Sequence, residues 1–244
     1  MKLLIIRHGD PDYEHDALTP QGEREAALLA EEFVRAGTVI QAAYVSPLGR
    51  AKRTASHVLN ALGMTAEECA WLREFDPCIR RPDKEGFSIA WDWLPQDWTP
   101  ADEFLSVETW LNHPVMSDSD APQKYWEVCS ALDALLNRHG YRRDGRLYRA
   151  HHPNTDTIAL FCHFGVESVI LSHMLNISPV LLWHGFCALP TSVTTVCTEE
   201  RREGIASFRV LEYGSVTHLT RAGVEPSKSA RFCECFGNTD ERHD

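Results

Sequence analysis

Lys2-Leu3-Leu4-Ile5-Ile6-Arg7-His8-Gly9 sets four apolar residues directly before an arginine, a histidine and a glycine. A short continuous apolar run predicts a strand buried on both faces, as in a parallel sheet flanked by helices. In such sheets ligands sit in the crevice beyond the carboxyl ends of the strands, and Arg7 and His8 fall at that end. Gly9 permits a sharp turn or a close backbone approach there. Arginine offers a planar donor fork for phosphate or carboxylate, and histidine can serve as nucleophile, acid or base near neutral pH. From these eight residues alone, an ordinary strand end with a surface Arg and His is an equal reading.

The bulk properties narrow the classes. A chain of 244 residues with 43% hydrophobic and 24% charged residues has the composition of a soluble protein with a sizeable core. Its formal net charge of -11 argues against a nucleic-acid or anionic-membrane surface. The run Leu3–Ile6 is too short for a signal-peptide core, and no apolar stretch is long enough for a membrane span. The eight cysteines lie at irregular spacing, which predicts reduced thiols and a cytoplasmic protein. Cys162 and Cys197 fall in apolar runs and read as core residues. Cys233-Glu234-Cys235 with His243 could offer three metal ligands, but the C-x-C spacing lacks a second pair and no metal is expected.

Along the chain the rhythm is strand then helix. Thr19-Pro20 reads as N-cap and first helical residue, with Ala26, Leu29, Ala30 and Phe33 inward and Gly37 as the stop. A second apolar run, Ala42–Val45, meets Ser46-Pro47-Leu48-Gly49-Arg50. The same cap pattern predicts a helix opening at Ser46-Pro47 and ending at Gly63. Arg50 then sits in a first turn, where backbone N–H groups favour an anion. Glu74 has apolar neighbours that could desolvate it, with Asp10, Asp76 and Glu85 as rival carboxylates.

Residues 86–120 break the rhythm with Trp91, Trp93, Trp98 and Trp110. They read as an insertion forming a lid or specificity wall, or a satellite core. Pro122 opens a further helix with Trp126, Cys129, Leu132 and Leu136 inward. Asp144-Gly145 marks a hairpin within 141–149. Thr157–Cys162 is another buried strand, followed by His163-Phe164-Gly165 and a helix. Ser192–Thr198 and Ile205–Tyr213 are late strands. One domain over residues 1–220 and an irregular or mobile tail over 221–244 complete the expectation.

Five motifs in this order carry a family resemblance: Arg7-His8-Gly9, Leu18-Thr19-Pro20-Gln21-Gly22, Ser46-Pro47-Leu48-Gly49-Arg50-Ala51, Leu72-Arg73-Glu74 and Cys162-His163-Phe164-Gly165. The chain resembles the histidine phosphatase superfamily, which implies the phosphoglycerate-mutase-like fold, a three-layer α/β/α sandwich with a mostly parallel sheet. The resemblance implies that His8 is the nucleophile, that Arg7, Arg50 and His163 surround the phosphoryl oxygens, and that Glu74 is general acid then base. Gly9 and Phe164 would adjoin the phosphate. No metal or cofactor is called for, since two arginines supply the charge that Mg²⁺ supplies elsewhere.

Cofactor-dependent mutases follow Arg-His-Gly with Glu and then a Trp-Asn pair, whereas Asp10-Pro11-Asp12-Tyr13 follows here. That departure favours a metal-independent phosphomonoester hydrolase acting on a small phosphorylated metabolite through a phosphohistidine. A phosphoglycerate mutase and a non-catalytic phospholigand-binding protein are the alternatives.

Overall fold

Leu3 to Arg7 are all buried, as a strand enclosed on both faces requires. In the computed structural model, which describes residues 1–229 and 231–242, this strand is β1, Lys2–Arg7. A small hairpin of β2 (Pro11–Asp12) and β3 (Ala17–Leu18) follows. Thr19 then caps α1, Pro20–Arg35: its hydroxyl accepts from the Gly22 N–H, Pro20 fills the first turn, and Gly37 beyond the end is left-handed. β4 (Ala42–Val45), α2 (Gly49–Leu62) and β5 (Glu67–Glu68) continue the alternation.

Two short helices, α3 (Pro95–Trp98) and α4 (Pro114–Ser117), each start at a proline and lie in the tryptophan-rich excursion. Next come α5 (Ala121–Arg138) and the hairpin β6 (Tyr141–Asp144) and β7 (Leu147–Ala150). β8 (Thr157–Cys162), α6 (Phe164–Leu175) and α7 (Pro179–Gly185) precede β9 (Val193–Arg202), β10 (Ile205–Ser215) and α8 (Thr217–Ala222).

The strands form one eight-stranded sheet in the order β5-β4-β8-β1-β9-β10-β7-β6. Side chains alternate across it by the two-residue period of a strand. Leu4 and Ile6 face a core with Leu29 and Phe33 of α1 and Val58 of α2. Leu3 and Ile5 face the opposite core with Leu132 and Leu136 of α5 and Val169 of α6. That is the expected three-layer α/β/α sandwich. Among the described residues, no helix is long and apolar enough to cross a membrane.

The sheet is mixed, however, where a mostly parallel one was expected. β5, β4, β8 and β1 pair in parallel; β1–β9, β9–β10, β10–β7 and β7–β6 pair antiparallel. The reason is connection length: β6–β7 and β9–β10 are joined by two-residue turns, which can only return the chain antiparallel. Trp126 points to solvent at 56% exposure, and Tyr125 and Val128 take the inward positions of α5. Cys162 is a core residue, but Cys197 is only half-buried, and all eight cysteines are free thiols.

Candidate active site

The parallel register of β1 with β8 explains why two distant histidines meet. Arg7 stands opposite Cys162, so the next residue of each strand is a histidine, and the His8 N–H donates to the Cys162 carbonyl at 3.1 Å. The two imidazoles end with centroids 5.0 Å apart. His8 Nδ1 lies 2.7 Å from the Gly9 carbonyl oxygen. A carbonyl can only accept, so Nδ1 carries the proton and Nε2 keeps its lone pair. Burial and then the Arg7 guanidinium hold the His8 pKa well below the ordinary imidazole value, so the ring is neutral at pH 7. Burial does the same to His163, with His8 and Arg50 adding to it.

Gly9 is required by close approach. A Cβ there would lie 2.8 Å from the Gly22 carbonyl oxygen at the start of α1. Its N–H donates to Thr54 Oγ1, whose hydroxyl donates to the Arg50 carbonyl, tying the exit of β1 to α2.

Ser46 does not cap the helix. α2 opens three residues later at Gly49, with Leu48 in the cap position. Ser46 instead ends β4 beside β8, with its Oγ 2.8 Å from His163 Nε2 and accepting from the Leu48 N–H. The histidine competes for the hydroxyl that a helix cap would use, a contact invisible in the local pattern. Arg50 still falls in the first turn of α2. Its Nη1 donates to Asp16 Oδ1 at 2.7 Å, while Asp16 Oδ2 accepts from the Gly49 N–H at 2.6 Å. Arg7 Nη1 donates to the Ala188 carbonyl. The Nε of each arginine is buried and makes no hydrogen bond among the described residues.

Glu74 is partly buried, on the cavity wall. Its Oε1 accepts from the N–H groups of Phe75 at 2.8 Å and Val166 at 3.2 Å. Burial nonetheless raises its pKa to about 7, against the lowering pull of those bonds and of Arg7 and Arg50. Gly165 makes room for it, since a Cβ there would sit 2.6 Å from Glu74 Oε1 and 2.8 Å from Trp91 Nε1. Of the rival acids, Asp76 lies on the cavity wall but takes Lys124, Glu85 is exposed, and Asp10 is turned to Thr19, Ser227 and Ser229.

Arg7, Arg50, Glu74 and Phe164 line one cavity of about 1370 Å³. His8 and His163 are buried beside these residues rather than on the open wall. The tryptophan-rich segment divides between its two expected roles. Trp91, Trp93 and Trp98 line the cavity, whereas Trp110 is wholly buried, edge-on to Tyr125 and Trp183.

The described part of the tail is tied to the rest of the fold by single side chains. Beyond α8 it is irregular, but Ser227 is buried, donates its N–H to Glu25, and bonds Asp10 through its hydroxyl. Arg242 reaches Asp92 at 2.9 Å. Phe232 and Cys233 thereby become part of the cavity wall. Polar composition and missing periodicity carried no sign of this, because single side chains do the anchoring. Asp16, Ser46 and Thr54 were missed for the same reason. Among the described residues no group of three or more His, Cys, Asp or Glu could hold a metal, and His243 of the Cys233/Cys235 candidate lies outside them.

Residues 3–103 match the family model of the histidine phosphatase superfamily, branch 1. No curated relative matches the chain by sequence. Among solved structures, it is similar to a phosphoserine phosphatase mutant from Entamoeba histolytica in complex with phosphoserine, at 18% identity and TM-score 0.57, over 89% of this chain and 98% of that one. A mycobacterial glucosyl-3-phosphoglycerate phosphatase aligns at 20% identity and TM-score 0.55, over 88% and 99%. The alpha-ribazole phosphatase of Shigella flexneri aligns at 19% and 0.51, over 88% and 97%. At such identities these likenesses speak for the phosphoglycerate-mutase-like fold.

Proposed function

We propose that this chain is a histidine phosphatase that hydrolyses phosphomonoesters of small metabolites without a metal, through a phosphorylated His8, a reading supported by the family model matched over residues 3–103. One observation carries the reading: two buried arginine Nε–H groups, on Arg7 and Arg50, have no partner among the described residues and lie beside a neutral histidine. A buried donor without an acceptor is costly, and an anion between the guanidiniums relieves both.

In the first step His8 Nε2 attacks phosphorus as the ester P–O bond breaks. Glu74 gives its proton to the departing alcohol oxygen. In the second, the Glu74 carboxylate takes a proton from water, the water oxygen attacks phosphorus, the P–N bond breaks, and inorganic phosphate leaves. Gly9, by accepting from Nδ1–H, favours the phosphorylated ring. Arg7, Arg50 and His163 stabilise the charge spread over the transferred oxygens.

Hydrolysis is preferred to a mutase reaction because Asp10-Pro11-Asp12-Tyr13 follows the nucleophile, and because the structural relatives named above are phosphatases. We take residues 1–220 as one catalytic domain, since Arg7 of β1, Arg50 of α2, Phe164 of α6 and the 86–120 segment all contribute to the same cavity. The test is phosphate release from a panel of phosphomonoesters by the wild type and by His8→Ala, with and without EDTA. Hydrolysis that EDTA abolishes and added metal restores refutes the mechanism.

A further inference from the structure

The wall of the cavity beyond the two arginines is aromatic. The Arg7 guanidinium lies over the Phe164 ring at 5.7 Å, and Phe164 meets Trp91 edge-on at 5.8 Å. Trp91 is also the ring beside Glu74, since one Cβ at Gly165 would touch both. A group leaving phosphorus and taking a proton from Glu74 therefore departs onto Trp91. Beyond it stand Trp93, held edge-on by Phe104, and Trp98, stacked on His184 at 4.9 Å. Phe232 of the tail also lines the cavity, and its ring carries the Arg242 guanidinium at 4.0 Å. Packing fixes these rings before any ligand arrives, which lowers the ordering cost of binding.

Size and charge point the same way. Pockets that hold drug-sized ligands run to roughly 300–1,000 Å³, and this one, at about 1370 Å³, exceeds what a three-carbon phosphate would fill. Two of the further arginines on the wall already face carboxylates: Arg73 faces Asp76 at 3.9 Å and Arg242 faces Asp92 at 2.9 Å. Exposed Arg231 is the exception. A second phosphate or carboxylate on the substrate finds little to meet it, whereas a flat ring finds faces and edges suited to aromatic packing.

We infer that the substrate is a phosphomonoester whose alcohol carries a flat, largely apolar ring system, packed against the cavity rings Trp91, Trp98 and Phe232. This rests on the phosphatase reading for its chemistry but not for its measurement. Phenyl phosphate and 2-naphthyl phosphate have similar leaving groups and differ by one fused ring. That ring buries roughly 60 Å² more apolar surface, which at about 25 cal/mol per Å² is about tenfold in affinity.

Titration calorimetry on His8→Ala, which lacks the nucleophile, measures binding alone. The expected result is 2-naphthyl phosphate about tenfold tighter than phenyl phosphate, and both tighter than glycerol 2-phosphate. Trp98→Ala and Phe232→Ala, from the tryptophan-rich segment and from the tail, should each shrink the naphthyl-to-phenyl ratio toward one, in binding and in wild-type-background kcat/KM. Naphthyl binding no tighter than phenyl overturns the inference, as does a ratio that neither wall variant moves. Tight, ring-dependent binding without turnover by the wild type would sustain it while refuting the phosphatase reading.

Discussion

Replacing Glu74 by Gln isolates the proton-transfer half of the chemistry. Glutamine keeps a carbonyl oxygen where Glu74 Oε1 accepts from the Phe75 and Val166 N–H groups, so the position of the side chain should survive. What is lost is an acidic proton on a group whose pKa stands at about 7. For the wild type, the protonated fraction of Glu74 falls to about one-tenth at pH 8 and falls tenfold for each further unit. Substrate phosphate is already dianionic there, with a second pKa of about 6, so the decline belongs to the enzyme. Hydrolysis of an alkyl phosphomonoester should track that decline. In Glu74→Gln it should be lower by about 10²–10⁴-fold and lose the dependence on pH above 7. p-Nitrophenyl phosphate, whose leaving group needs no proton, should transfer its phosphoryl group to His8 at nearly the wild-type rate in the variant. The assay is single-turnover release of alcohol or nitrophenol between pH 6 and 9. Equal losses on both esters would remove Glu74 as the acid and direct attention to Asp76, the other carboxylate of the wall near Arg73.

Other residues give sharper local tests. Asp16 fixes the direction of Arg50 and also accepts from the Gly49 N–H, so Asp16→Ala should lower kcat/KM roughly tenfold, with Asp16→Asn between; a rise would show that the carboxylate only repels substrate. Gly165→Ala should push the Glu74 carboxylate aside and slow alkyl esters more than p-nitrophenyl phosphate, read from the ratio of the two rates. Glu167 is buried in the first turn of α6, and burial raises its pKa to about 7 from 4.5. The unfolded chain releases that proton at lower pH than the folded one, so stability is lost as pH rises from 4.5 to 7 and the full cost applies above. Glu167→Gln should therefore gain up to about 3 kcal/mol over the wild type at pH 8.5 and little at pH 4, measured by urea unfolding.

How much of this was legible in the chain depends on the range of the interactions. β1 and β8 could be read because four and five consecutive apolar residues leave few alternatives, and the cap at Thr19 because its partner is three residues away. The convergence of Arg7, His8, Arg50, Glu74 and His163 was suggested by motif order, and strand register supplies the physical means. The mixed sheet was implicit in the two hairpins, whose short turns enforce antiparallel pairing, yet the strand–helix rhythm of the first half outweighed them. Ser46 read as a cap because a hydroxyl before proline fits that role; His163, 117 residues away, claims it instead. Asp16 and Ser227 act through single long-range bonds that leave no period or composition to detect. The split of the tryptophans, with Trp110 in the core and Trp91, Trp93 and Trp98 on the wall, is a matter of tertiary packing that spacing does not encode.

The central claim is that His8 Nε2 carries the phosphoryl group. A phosphoramidate persists in base and is lost in acid, unlike a serine phosphate ester. Mixing the protein with a ³²P-labelled aryl phosphomonoester for a few milliseconds and quenching in alkali should leave label on the chain. That label should disappear on acid treatment, map to the peptide containing His8, and be absent from His8→Ala. Label that survives acid, or that remains in His8→Ala, would contradict the phosphohistidine mechanism.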